Sequence, residues 1–107
     1  MIRPFVFHPA AAADLREIAR YSRQQWGEEQ ARAYTGKLRQ RLLELSQGSG
    51  FSKDLSDIHP NLRCVLCGHH YLFFLPRPNA PLLVVALLHE RMDSRLDSIS
   101  SAARRSS

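Results

Sequence analysis

Tyr71-Leu72-Phe73-Phe74-Leu75-Pro76-Arg77-Pro78-Asn79-Ala80-Pro81-Leu82-Leu83-Val84-Val85-Ala86-Leu87-Leu88 holds two apolar runs either side of a loop broken by three prolines. A run of five to seven apolar residues bounded by turn signals reads as a strand, and the prolines exclude a central strand between them. Just upstream, Leu62–Cys67 is a third run, separated from Tyr71 by Gly68-His69-His70, a short glycine-containing hairpin signal. Two tight connections in succession predict an antiparallel meander. The second and third runs are almost continuously apolar instead of alternating, which predicts burial on both faces of the sheet.

Upstream of the meander the period changes from two to 3.6. Ala11, Leu15, Ile18, Ala19 and Ser22 fall on one helical face, and Pro9 suits a first helical turn with His8 in the cap region. This helix is predicted from Pro9 to Gln25, stopping near Gly27, with Arg16, Arg20 and Arg23 off the apolar stripe. Glu28 and Glu29 then favour a new helix N-terminus, and Ala31, Tyr34, Leu38, Leu42 and Leu45 carry a second stripe until Gln47-Gly48-Ser49-Gly50. So few intervening residues require an antiparallel helical hairpin, with Trp26 packing the two helices at its corner. Arg3–Phe7 reads as a short opening strand, and Phe51–Asn61 as a connecting loop. The order is β-α-α-β-β-β, an α+β fold in which the hairpin covers one sheet face. The other face then calls for a second molecule or the C-terminal segment as cover. Residues 1–93 form one domain in this reading, and the Ser/Arg-rich stretch 94–107 a flexible tail.

Composition narrows the function classes. The 107 residues are 44% hydrophobic and 23% charged, as in an ordinary globular domain. The longest apolar run, Leu82–Leu88, is far short of the roughly 20 residues that span a bilayer, so a cytoplasmic protein without membrane contact is expected. The net charge is +5, and every basic residue except Lys37 and Lys53 is Arg, whose planar fork matches carboxylates and phosphates. Cys64 and Cys67 form a lone C-x-x-C with His69 and His70 behind it. Positions i and i+3 of a strand point to opposite faces, so the sulfurs diverge and neither a metal site nor a mutual disulfide is expected. No cofactor motif is present: there is no phosphate-binding glycine loop, H-E-x-x-H or G-x-S-x-G. The densest polar cluster is His89-Glu90-Arg91-Met92-Asp93, directly after the last strand.

The order of these motifs resembles the ParE toxins of the RelE/ParE superfamily. Pro9-Ala10-Ala11, Asp14-Leu15-Arg16-Glu17-Ile18, Tyr21, Trp26-Gly27-Glu28-Glu29-Gln30-Ala31 and Tyr34 match the helical hairpin of that family. Ile58-His59-Pro60-Asn61-Leu62-Arg63, Gly68-His69-His70 and Leu88-His89-Glu90-Arg91-Met92-Asp93 follow in the same order, so the likeness runs from about Phe5 to Asp93. The resemblance implies the toxin half of a type II toxin–antitoxin pair, on the RelE/ParE-like fold, held inactive by a ParD-type antitoxin and directed against DNA gyrase. The target contact is expected at Arg63, His89, Glu90, Arg91 and Met92. The antitoxin contact is expected at Tyr71, Phe73 and Leu75 on the sheet and Arg16 and Arg20 on the first helix, with homo- or hetero-oligomers possible. No residue is assigned a catalytic role on this reading. The alternative is a RelE-like, ribosome-dependent mRNA endoribonuclease using Arg63, His89 and Arg91. That set lacks a complete acid–base pair, and residues 92–107 contain neither Tyr nor Lys. A second alternative is a basic nucleic-acid-binding module, which lacks an interleaved aromatic stripe here.

Overall fold

The computed structural model describes residues 3–90. Arg91, Met92, Asp93 and the expected tail 94–107 lie outside the described residues.

The elements are β1 (Phe5–Phe7), α1 (Pro9–Trp26), α2 (Glu28–Ser46), β2 (Lys53–Asp54), β3 (Arg63–Cys67), β4 (His70–Leu75) and β5 (Leu82–His89). His8 caps α1, its Nδ1 accepting the Ala10 N–H at 3.1 Å, and Pro9 occupies the first helical position, where no N–H is needed. One residue, Gly27, separates the helices. At φ +93° it ends α1, donating its N–H to the Arg23 carbonyl, and starts α2, accepting from Ala31. Trp26 sits at this corner with its ring against Tyr21 of α1 and Tyr34 of α2, so it bridges the helices as expected.

The sheet has five strands in the order β1-β5-β4-β3-β2. The meander β3-β4-β5 is antiparallel as predicted, and two short edge strands extend it. β1 pairs with β5 in parallel, Phe5 opposite Leu82, an arrangement permitted by the long excursion through α1 and α2. β2 lies inside the segment expected to be a plain loop; its two residues pair with Arg63 and Cys64. Two residues carry too little periodicity to announce a strand.

A register shift between Phe73 and Phe74 sorts the side chains of β5. Before it, Leu82 and Val84 join Leu72, Phe74 and the helix residues Leu15, Ile18, Leu38 and Leu42 in one core cluster; after it, Leu87 does. Val85 and Ala86, adjacent in sequence, both enter the cluster on the opposite face, with Phe73, Leu75, Leu83 and Leu88. The predicted burial of both faces is therefore observed. Part of the cover for the second face comes from the connecting segment, while the C-terminal segment, the other expected cover, lies outside the described residues. Leu62 is part of that cluster, and Leu55 and Ile58 of the connecting segment pack against it. Cys67 falls in the helix-side cluster and Cys64 in the opposite one, so the two thiols diverge as strand geometry requires.

Candidate functional site

The polar side chains converge at the end of the sheet formed by the β3–β4 turn and the end of β5. The turn contains only Gly68 and His69, because Cys67 pairs directly with His70. Gly68 takes φ +62° at the first turn position, where a two-residue hairpin of this kind favours glycine. A second constraint acts there: a Cβ on Gly68 would lie 2.7 Å from the Tyr34 ring. The missing side chain lets α2 lay Tyr34 against the turn. The Tyr34 hydroxyl accepts the His69 amide N–H at 3.0 Å and lies 2.6 Å from His70 Nδ1. Burial, then the neighbouring His89 and His69, pushes the His70 imidazole down to about 4, so the ring is neutral at neutral pH. With the ring proton on Nε2, the neutral imidazole accepts at Nδ1 and the Tyr34 hydroxyl donates to it. Burial raises the Tyr34 phenol above its ordinary value, which keeps the proton in place.

His89 lies opposite His70 across the β4–β5 pair, with ring centroids 5.3 Å apart and planes perpendicular. His69 stacks over His89 at 6.4 Å and hydrogen-bonds through Nδ1 to Glu90 Oε2 at 2.8 Å. The β5 register shift has a consequence for this cluster. It gives His89 the parity of Leu87, so His89 shares the helix-side face and, with Asp14, Tyr21 and Trp26, lines a groove of about 750 Å³ beside α1. Asp14 joins the helix to the sheet end: its Oδ2 accepts the Leu87 N–H at 3.1 Å, beyond the last β1–β5 pair at Val84. The carboxylate thus replaces a strand where β1 has stopped.

Arg63 is elsewhere. It lies opposite Phe74, four residues along β4 from His70, which is roughly 13 Å of strand. Its guanidinium is engaged locally, Nε donating to Ser52 Oγ and Nη2 to the Ser52 carbonyl, both at 2.7 Å. The structure therefore brings His89 and Glu90 together and leaves Arg63 at the far end of the sheet. The residues expected to meet an antitoxin divide similarly. Arg16 and Arg20 are exposed on α1, Arg20 ion-paired with Glu17. Tyr71 is half-buried on the opposite sheet face, while Phe73 and Leu75 are 5% exposed within it.

Among the described residues no group of three or more His, Cys, Asp or Glu side chains is arranged to hold a metal ion. No helix of the described residues is long and apolar enough to cross a membrane.

The family described as ParE toxin of type II toxin-antitoxin system, parDE, matches residues 5–94. The chain belongs to the ParE toxin family. It is 51% identical over 89 residues to toxin ParE of Escherichia coli, covering 83% of this chain and 86% of that one. Toxin ParE1 of Mycobacterium tuberculosis H37Rv is 30% identical over 89 residues, covering 83% and 91%. Toxin ParE1 of Caulobacter vibrioides is 28% identical over 94 residues, covering 88% and 96%. A solved chain titled as the chromosomal ParDE TA system from P. aeruginosa superposes with a TM-score of 0.65 at 17% identity, over 79% of this chain and 92% of that one. At that identity the superposition speaks for the shared fold.

On this ParE scaffold, three side chains that organise the sheet end had been visible only separately in the sequence. Tyr34 reads as one member of a helical stripe, Asp14 as part of a motif, and His70 as one of two histidines behind a lone C-x-x-C. The available signal was the pairing of Gly68 in a two-residue turn with a tyrosine on the facing helix. The β4–β5 register that joins His70 to His89 was not countable from a run of uniform apolar residues.

Proposed function

We propose that this ParE-family chain is held inactive by a ParD-type antitoxin and, when released, inhibits DNA gyrase by binding it, so blocking replication. The observation that carries this reading is the family match across residues 5–94, together with 51% identity to the Escherichia coli toxin ParE. The proposed target contact is His89 and Glu90 at the sheet end with Arg91 and Met92, which follow them in sequence, and Arg63 as an outlying member. The antitoxin contact is proposed at Arg16 and Arg20 and, on the other face, at Tyr71 with Phe73 and Leu75 behind it. A partner reaching both sets must wrap the toxin, which a segment that folds on binding can do.

The position of Arg63 supports binding over catalysis. Phosphodiester cleavage requires acid, base and phosphate-holding groups around one phosphorus atom, and Arg63 is tied to Ser52 well away from His89. The deciding experiment incubates the purified protein with gyrase and supercoiled plasmid, and separately with translating ribosomes and mRNA. Lost supercoiling or gyrase-dependent DNA cleavage with intact mRNA is the expected result. Site-specific mRNA cleavage that disappears in Arg63→Ala or His89→Ala, with gyrase unaffected, would overturn it in favour of the ribonuclease.

A further inference from the structure

The end of the sheet opposite His89 carries a groove of its own. β5 runs from Leu82 to His89, so the two sheet ends stand roughly 23 Å apart. At the Leu82 end, the Leu82 N–H donates to the Pro4 carbonyl at 3.2 Å, which seats the chain before β1 beside the β4–β5 loop, residues 76–81. These two segments and the end of α2 at Leu45 and Ser46 border a groove of about 820 Å³. Pro4, Pro76, Pro78 and Pro81 supply apolar walls, and the charged side chains on it are Arg3 and Arg77. Among the described residues, no carboxylate and no histidine lines it.

Both guanidiniums have donors to spare. Prolines restrict the loop backbone, and Arg77 Nε donates to the Pro81 carbonyl at 2.8 Å, which fixes the side chain across the loop. That bond uses one nitrogen and leaves both Nη groups without a partner among the described residues. Arg3 is exposed and makes no hydrogen bond or ion pair with the described residues. The acidic residue nearest to the lining in sequence, Glu44, is ion-paired with Arg41 at 3.2 Å.

We propose that this groove receives an acidic peptide segment of a partner protein, with carboxylates alternating with apolar side chains. The two Nη groups of Arg77 form a fork that fits one carboxylate through paired, charge-assisted hydrogen bonds, and Arg3 takes a second. The apolar side chains of the segment cover the proline rings. A basic segment meets like charge here. A nucleic-acid strand finds the charges but no aromatic ring among the described lining residues on which a base could stack. None of the lining residues belongs to the proposed gyrase or antitoxin contacts, so the proposal stands apart from them.

The full-length, isotope-labelled protein is titrated with the capped peptide Glu-Leu-Glu-Leu-Glu and, in parallel, with Lys-Leu-Lys-Leu-Lys and with oligothymidylate, and the amide NMR signals are followed. The expected result is saturable movement of the Arg77, Asn79, Ala80 and Leu82 amides with the glutamate peptide only, weakening as salt is raised. Arg3→Gln and Arg77→Gln should each raise the apparent Kd about tenfold, and Arg77→Lys, which keeps the charge and loses the fork, should fall between. Arg3→Gln keeps the test independent of the loop, because Arg3 has no bond to a described residue to lose, and the amide spectrum of each variant verifies its fold. No saturable change, movement centred on other residues such as Arg16 and Arg20, an equal response to the lysine peptide or the oligonucleotide, or unchanged affinity in the folded variants would each overturn the proposal.

Discussion

Replacing Gly68 by alanine tests the organisation of the sheet end at one atom. Two costs combine. At φ +62° an L-residue carries a backbone penalty of about 1–2 kcal/mol that glycine does not. The new methyl group would also stand 2.7 Å from Tyr34 Cε1 and 2.9 Å from its hydroxyl, so the ring must move. Movement breaks the hydrogen bonds to the His69 amide and to His70 Nδ1, each worth about 0.5–1.5 kcal/mol net. Together these give a loss of about 2–5 kcal/mol. Gly48 provides the control: it has φ +80°, and a Cβ there meets nothing within 4 Å. Gly48→Ala should therefore cost only the backbone part, about 1–2 kcal/mol. Urea denaturation measures both, and thermal unfolding should follow at about 4–8 °C per kcal/mol for a domain near this size. In a Tyr34→Ala background the cost of Gly68→Ala should fall to the Gly48 value, a double-mutant coupling of about 1–3 kcal/mol. Equal losses at Gly68 and Gly48, or a Gly68 loss unchanged by removing Tyr34, would refute this account of the turn.

Three other outcomes follow from the same geometry. Asp14→Ala removes the acceptor from the N–H of buried Leu87 and should cost about 1–3 kcal/mol in urea denaturation, whereas Asp14→Asn, which keeps an acceptor oxygen, should cost less. The folded-state pKa of His70 lies below its ordinary value of 6.5, at about 4, so the unfolded chain binds the proton more readily. Its contribution to stability is present above about pH 6.5 and is lost as pH falls towards 4; a denaturation series across that window should show the fall in the native protein and a flatter profile in His70→Gln. Cys64 and Cys67 are buried in separate clusters, and burial pushes the Cys64 thiol up, so both should react slowly with a disulfide reagent in the native state and rapidly in denaturant. Fast native-state labelling would contradict that packing.

The elements were legible in the chain because their signals are local. Pro9 after His8, the stripes through Leu15 and Ile18 and through Leu38 and Leu42, and Gly27 between two amphipathic segments specify a helical hairpin whatever lies around it. Gly68 in a short gap between apolar runs specifies the turn, and strand parity alone separates Cys64 from Cys67. The succession of these motifs also carried the family, which the match over residues 5–94 establishes.

Pairing partners were beyond local signals. Leu82–Leu88 is apolar at every position, so nothing in it marks where a register shift puts Val85 and Ala86 on one face and returns His89 to the side of α1. The parallel seating of β1 on β5, the packing of Leu55 and Ile58 on the second face, and the placing of Arg63 far from His89 likewise depend on contacts between residues distant in sequence. Secondary structure is set by the backbone preferences and periodicity of neighbouring residues. Which faces meet, and which polar groups end up sharing one sheet end, is decided when those elements compete to bury apolar surface and satisfy their backbone hydrogen bonds, as Asp14 does for Leu87.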